Sequence, residues 1–325
     1  MKILVTGGLG FIGSHVVVKL QEEGFDVVII DNLSNSDIKV LDGIVAITGI
    51  TPVFEQLDLR EKAAVSGFFK KYTDIGGVIH FAASKAVGES VENPLLYYEN
   101  NIGTLVYLLQ ELQKKEQTSF IFSSSCTVYG QADQMPITEI AAIKKAESPY
   151  GNTKQIGEEI IQDTCRVSPN IKATALRYFN PIGAHETANI GELPIGVPQN
   201  LIPFVTQTAA GIRSHLTVFG NDYPTPDGTC IRDYVHVSDV ADAHVRALLF
   251  TSDNPLDIFN IGTGKGTSVL EMIQYFNEVS GIELPYEIGP RRAGDITEIF
   301  ANVSYSNATL GWRAQRNVKE ALKDA

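Results

Sequence analysis

Tyr150 and Lys154 stand four residues apart on a stretch that reads as a helix behind Ser148-Pro149, so their side chains share one helix face. Ser125 ends the Ser123-Ser124-Ser125 run at the C-terminal edge of an expected strand, where ligands gather in open parallel sheets. A phenol, an ammonium and a hydroxyl so arranged can take the proton of an alcohol while hydride leaves the same carbon. The obstacle is the phenol. A free tyrosine titrates near 10, and bringing it to neutral pH requires roughly 4 to 5 kcal/mol in favour of the phenolate. The Lys154 ammonium and a positively charged hydride acceptor are opposite charges that can supply it. Tyr150 would then be the base, Ser125 would bond the alcohol and help pass the proton, and Lys154 would also hold the acceptor. Spacing alone proves little, since 12 Tyr and 16 Lys in 325 residues give about 0.6 such pairs by chance. A lone serine at that edge is more often a turn residue or a cap. What precedes the trio gives it weight.

Lys2-Ile3-Leu4-Val5 reads as a strand and Phe11 to Glu23 as a helix, and between them run Thr6-Gly7-Gly8-Leu9-Gly10. A strand, a glycine turn and a helix N-terminus form a socket for a pyrophosphate, because small residues admit the backbone and free N–H groups point at the anion. Gly7, Gly10 and Gly13 give a G-x-x-G-x-x-G spacing. A second strand, Asp26 to Asp31, ends in an acid that can accept both ribose hydroxyls of an adenosine and would repel a 2′-phosphate. No Arg or Lys follows before Lys39, which favours NAD over NADP.

The elements that must position these residues alternate along the first half of the chain. Strands are expected at 2–6, 26–31, 53–58, 77–83, 119–124 and 172–178, and helices at 12–23, 61–72, 94–115 and 149–166. Repeated strand–helix–strand units mean right-handed crossovers and a parallel sheet. Beyond residue 179 the regularity decays. The stretches 180–199 and 220–229 are rich in Gly, Pro and Asn and read as ordered loops around a binding site. Leu256 to Ile261 reads as one further strand that returns to the first lobe.

At 325 residues the chain can bury a large core, as two lobes. A net charge of −12 argues against a nucleic-acid surface. Three scattered cysteines, Cys126, Cys165 and Cys230, suit neither a disulfide framework nor a zinc site. No apolar run approaches the roughly 18 residues of a membrane span, and the first strand leaves no room for a signal peptide, so a reducing cytoplasm is expected.

Longer stretches then become specific: TGGLGFIGSH (6–15), DNLSNS (31–36), FAASKAVGES (81–90), FSSSCTVYG (122–130), SPYGNTK (148–154), LRYFNPIGAH (176–185), FGNDYPTPDGTCIRDYVHV (219–237) and RRAGD (291–295). Through them the chain resembles the extended short-chain dehydrogenases/reductases, in their UDP-hexose 4-epimerase branch. The resemblance covers essentially the whole length, with 37–50 and 131–147 the least informative parts. It implies a Rossmann-like doubly wound parallel sheet with a smaller, mixed α/β C-terminal substrate lobe. Residues 1–178, with segments near 235–262 returning, would bind NAD, and 179–325 would bind a UDP-sugar. The implied reaction is reversible conversion of UDP-glucose to UDP-galactose: oxidation at C4 to a 4-keto sugar, rotation of the sugar, and hydride return from a tightly held cofactor.

Carried over by position, the resemblance puts Phe11, Ile12, Asp31, Asn32, Asn35 and Ser36 on the adenosine half and pyrophosphate of NAD, with Gly7, Gly10 and Gly13. Asp58 and Leu59 would flank the adenine, and Phe81, Ala82, Ala83, Lys85, Asn100 and Phe179 would line the cofactor beside Ser125, Tyr150 and Lys154. Asn180, Asn200, Leu201, Thr217, Phe219, Arg232, Tyr234, Arg292 and Asp295 would meet the UDP part, and Lys85, Ser125 and Tyr150 would also reach substrate. Ile299 would border the sugar's 2-position, where a bulky Tyr goes with plain hexoses and a small residue with N-acetylated ones, so UDP-N-acetylglucosamine stays open as an alternative or additional substrate. Cys126-Thr127 stand where the related 4,6-dehydratases carry an acidic pair, which excludes that chemistry. A homodimer packed through helices near 94–115 and 149–166 is expected, with no metal, nucleic acid or membrane partner.

Overall fold

In the computed structural model, which describes residues 1–292 and 295–325, the chain begins with alternating strands and helices. These are β1 (Lys2–Thr6), α1 (Phe11–Glu22), β2 (Asp26–Asp31), α2 (Val40–Thr48), β3 (Val53–Gln56), α3 (Lys62–Lys71) and β4 (Ile75–His80). There follow α4 (Val87–Glu92), α5 (Pro94–Tyr97), α6 (Thr104–Leu112), β5 (Thr118–Ser125), α7 (Pro149–Val167) and β6 (Ile171–Tyr178). The rest comprises β7 (Asn180–Ile182), α8 (Leu201–Ala209), β8 (Leu216–Phe219), β9 (Ile231–Arg232), β10 (Tyr234–His236), α9 (Val237–Leu249) and β11 (Leu256–Ile261). It closes with β12 (Thr267–Ser268), α10 (Val269–Ser280), β13 (Tyr286–Gly289), β14 (Glu298–Ile299) and α11 (Val318–Asp324).

Seven strands form one parallel sheet in the order β11-β6-β5-β4-β1-β2-β3, a Rossmann-like α/β arrangement. Its strands are apolar on both faces because helices cover both. Ile3 and Val5 of β1 face a core with Val16, Val17 and Leu20 of α1 and Val240 of α9, while Leu4 faces the opposite core with Val65 and Phe68 of α3 and Leu105 and Leu108 of α6. β11 adds to β6 in register from Leu256↔Ala173 to Ile261↔Tyr178. The small sheets β10-β7, β12-β9-β14 and β13-β8 carry the remainder. None of the helices among the described residues is long and apolar enough to cross a membrane.

Several expected bounds shift for local reasons. The strand expected at 77–83 stops at His80, because the Phe81 and Ala82 amides turn back to the Thr6 carbonyl at 2.9 and 3.1 Å. The strand expected at 53–58 stops at Gln56, and Leu57 adds one more bond, to the Asp31 carbonyl. The helix expected over 94–115 is interrupted. After α5 the backbone widens into a π turn over Tyr98–Gly103 before α6. That turn presents Asn100 and Asn101 to Ser84.

Candidate active site

The glycine turn is built by close approach. Gly7 has φ +69°, and a Cβ there would lie 2.8 Å from the Ala82 nitrogen. A Cβ on Gly13 would lie 2.3 Å from the Gly7 carbonyl oxygen, so the helix can start against the turn only with glycine at that position. Gly10 donates its amide to Gly7 at 3.1 Å and sits at the start of α1, whose first turn has neither a side-chain cap nor an acid. Its N–H groups, at Phe11 and Ile12, are therefore left for an anion. Asp31 secures the turn from the next strand: it accepts from the Leu9 amide at 3.1 Å, from the Leu33 amide at 3.0 Å and from the Ser36 hydroxyl at 2.8 Å. A carboxylate offers about four acceptor sites, so with these three bonds in place one remains for a ribose hydroxyl, not the two expected from the sequence.

Beyond Asp31 opens a cleft of about 450 Å³ lined by Asn32, Ser34, Gln56, Leu57, Asp58 and Arg60. Asn32 donates to Asp58, and Arg60 forks onto the same carboxylate at 2.7 to 3.2 Å, holding its pKa down at about 2. Arg60 escaped the sequence reading, although it follows Asp58 by two residues. Leu59 turns into the core, so of the expected pair Asp58 alone lines the cleft with its side chain. Asn35 is exposed in the loop after β2. A narrow glycine cradle, an uncapped helix start and this cleft fit an adenine dinucleotide.

The chemical residues rise from the C-terminal edge of the same sheet. Ser148 caps α7 by accepting from the Gly151 amide at 3.1 Å, with Pro149 in the first turn. Tyr150, half-buried, and Lys154, buried, follow on one face, with the ammonium 5.9 Å from the Tyr150 ring centre. Ser125 ends β5 and accepts from the Thr127 amide at 3.3 Å. Lys154 donates to the Ser123 carbonyl at 2.6 Å and lies 3.3 Å from the Ser123 hydroxyl.

The electrostatics differ from the expectation in one respect. Burial pushes the Tyr150 phenol up to about 12, against a hydrogen bond from Ser125 that favours the phenolate. Burial also brings Lys154 down to about 8. The ammonium alone does not lower the phenol, because it is directed at Ser123 and both groups are desolvated. Lowering the phenol toward neutral pH would take a further positive charge beside it.

Asn100 bonds the Ser84 hydroxyl at 3.0 Å, and its neighbour Asn101 ties the Ser84 backbone to Thr153 of α7. Phe81, Ala82 and Ala83 line the turn after β4. Phe179 is buried after β6, and its amide reaches the Ile261 carbonyl at 3.1 Å.

In the C-terminal part, Arg232 of β9 and Arg292 converge on Asp295, at 3.8 and 2.8 Å. Arg292 lies 5.8 Å over the Phe219 ring, next to exposed Thr217 on β8. Lys85 and Asn200 meet on Glu192, at 3.7 and 2.6 Å, while Leu201 begins α8. Asn180 lies on β7, and Tyr234 is buried on β10. Asp233, which the sequence reading passed over, is fully buried and accepts from the amides of Thr263, Gly264 and Ala301 and the Thr263 hydroxyl. It thereby ties Arg232 and Tyr234 to the segment carrying Ile299. Ile299 packs with Cys126 and Phe179. Cys126 is buried and its thiol is pushed up to about 12, which suits packing and not nucleophilic attack. Ala293 and Gly294 of the RRAGD stretch lie outside the described residues.

Residues 3–262 match the model of the NAD dependent epimerase/dehydratase family. The chain belongs to that family. Within this epimerase/dehydratase family it is 47% identical to UDP-glucose 4-epimerase of Neisseria meningitidis serogroup B, over 100% of this chain and 96% of the relative. Among solved structures it is similar to UDP-glucose 4-epimerase from Stenotrophomonas maltophila with bound NAD and formylated UDP-arabinopyranose: TM-score 0.95, 46% identity, 100% of this chain and 96% of that one. The enzyme from Bifidobacterium longum in complex with NAD+ and UDP gives a TM-score of 0.96 at 41% identity, with the same coverage.

Proposed function

We propose that this chain interconverts UDP-glucose and UDP-galactose by inverting C4, with NAD held tightly in the glycine cradle. The observation that carries the reading is the meeting of Ser125, Tyr150 and Lys154 at the sheet edge where Gly7, Phe81 and Phe179 directly follow the ends of β1, β4 and β6. Bound NAD supplies the acceptor and the donor of hydride at the sugar carbon. Tyr150 takes the C4 hydroxyl proton in one direction and returns it in the other, and Ser125 bonds that hydroxyl and relays the proton. Lys154 favours the phenolate and holds the nicotinamide ribose.

Arg232 and Arg292 bind the diphosphate, which displaces them from Asp295, since guanidinium forks match phosphate oxygens. Few charged groups remain for the hexose. The nucleotide is thus anchored while the sugar can turn over and receive hydride on its other face. Residues 1–178 with β11 serve NAD and 179–325 serve the UDP-sugar. For a homodimer packed through helices near 94–115 and 149–166, exposed Leu95 and Leu96 of α5 supply apolar surface, and Val87 and Val91 of α4 extend it. Three free cysteines accord with a reducing cytoplasm.

The test is to incubate the purified protein separately with UDP-galactose and UDP-N-acetylgalactosamine and quantify the 4-epimers. UDP-glucose should form from the first. Its absence from NAD-loaded protein would overturn the proposal.

A further inference from the structure

We infer that Phe122 is a positioning residue whose ring face holds the Lys154 ammonium charged and seated at the Ser123 oxygens, beside Tyr150. This rests on the role proposed for Lys154. Lys154 is 4% exposed, and among the described residues no carboxylate pairs with it. Glu158, one turn along the same face of α7, is committed elsewhere: it accepts from the Ser124 hydroxyl at 2.5 Å and from Arg177 of β6 at 2.9 and 2.5 Å. His80 on β4, whose charge would compete, is held neutral by burial, with its pKa down at about 3. Tyr178 on β6 faces Ser123 and stays protonated, its phenol pushed up by burial. Besides the Ser123 oxygens, the charge of Glu158 and the more distant Tyr150 ring at 5.9 Å, what favours the charged form is the Phe122 ring, whose centre lies 4.8 Å from the ammonium.

The ring is fixed from both sides. It stacks on His80 at 6.3 Å, and α7 leaves a gap for it at Gly157, where an added Cβ would lie 2.7 Å from Phe122 Cζ. β5 therefore contributes Ser125 to the reacting centre, and three residues earlier it contributes the support under the lysine.

The sign of the effect follows. Without the ring the ammonium is less favoured, so Lys154 loses its proton at lower pH and the alkaline limb of kcat moves down with it. Two replacements separate charge from shape: Phe122→Leu, and 3,5-difluorophenylalanine at 122, which keeps the ring and empties its face of electron density. With protein carrying lysine labelled at Cε, NMR titration of NAD-loaded enzyme should show Lys154 titrating about half a pH unit lower or more in both. The alkaline limb of kcat should move equally, with KM for UDP-galactose within about two-fold, because Phe122 does not face the nucleotide residues. Gly157→Ala, which displaces the ring, should reproduce the shift. An unchanged Lys154 titration in both Phe122 replacements would overturn the inference, as would a shift in Phe122→Leu alone, which means the ring only fills space. A Lys154 titration that moves while the kcat profile stays put supports the ring's hold and instead removes Lys154 from the proposed reaction.

Discussion

Ile299 and Arg232 are register partners on the adjacent parallel strands β14 and β9. The residue expected beside the sugar's 2-substituent is thus one strand away from a guanidinium expected on the diphosphate, and Asp233 ties the two strands to the same loop. Changes at 299 are therefore read against a fixed nucleotide anchor.

Ile299→Tyr should lower activity on UDP-N-acetylgalactosamine at least ~10-fold relative to UDP-galactose, because a filled pocket rejects the extra group. Ile299 is buried, so the larger ring must turn toward the sugar or strain the packing around Phe179. The ratio of kcat/KM values for the two substrates measures this. An unchanged ratio would mean that Ile299 does not border the sugar.

Tyr150→Phe should cut turnover by at least ~100-fold while NAD and UDP still bind. In the wild-type protein without cofactor, ultraviolet difference titration should find Tyr150 ionising near 12, and NAD loading should bring it down as a positive ring arrives. Near-normal turnover in the Phe variant would remove the phenol from the mechanism.

His244 sets part of the acid sensitivity. It is fully buried between Phe81 and Tyr178, its Nδ1 donates to the Val240 carbonyl at 2.8 Å, and its Nε2 has no partner among the described residues. Burial holds its pKa down at about 4 from 6.5. Below 6.5 the unfolded chain takes a proton that the folded one refuses, so stability is lost as pH falls from 6.5 toward 4. At pH 5 this costs about 2 kcal/mol. His244→Phe should be near neutral at pH 7.5 and recover most of that at pH 5, as read by urea unfolding at both values.

If the proposed homodimer forms through this face, Leu95→Glu should yield a monomer in light scattering, since it places a charge in the exposed apolar patch of α4 and α5. A variant that stays dimeric would move the interface elsewhere.

The sequence was most legible where one residue type answers one demand. The run from Ile3 to Val5, buried on both faces, and the glycines at 7 and 13 announce β1, the turn and α1. Helix α2 was missed because Val40–Thr48 starts at Lys39 without a side-chain cap and carries Gly43 inside. The two-residue strands β9, β12 and β14 are too short to show a period. The direction of the Tyr150 shift was illegible because desolvation sums over residues distant in sequence. Glu192 lay in a loop rich in Gly and Pro, where nothing in the spacing marks a partner for Lys85.

The sheet's outermost strand beside β6 comes from residues 256–261, nearly 80 positions after β6 ends. Chain order and assembly order therefore part company. As the polypeptide emerges, β6 has one side without a partner until the intervening segment has been made and has folded back. A fragment ending at Tyr178 would display that side to solvent along eight residues, an open template for pairing with other chains. The long-range closure also raises contact order and slows folding. Cutting the chain at residue 178 would thus yield a sticky, unfinished sheet in place of an independent folding unit.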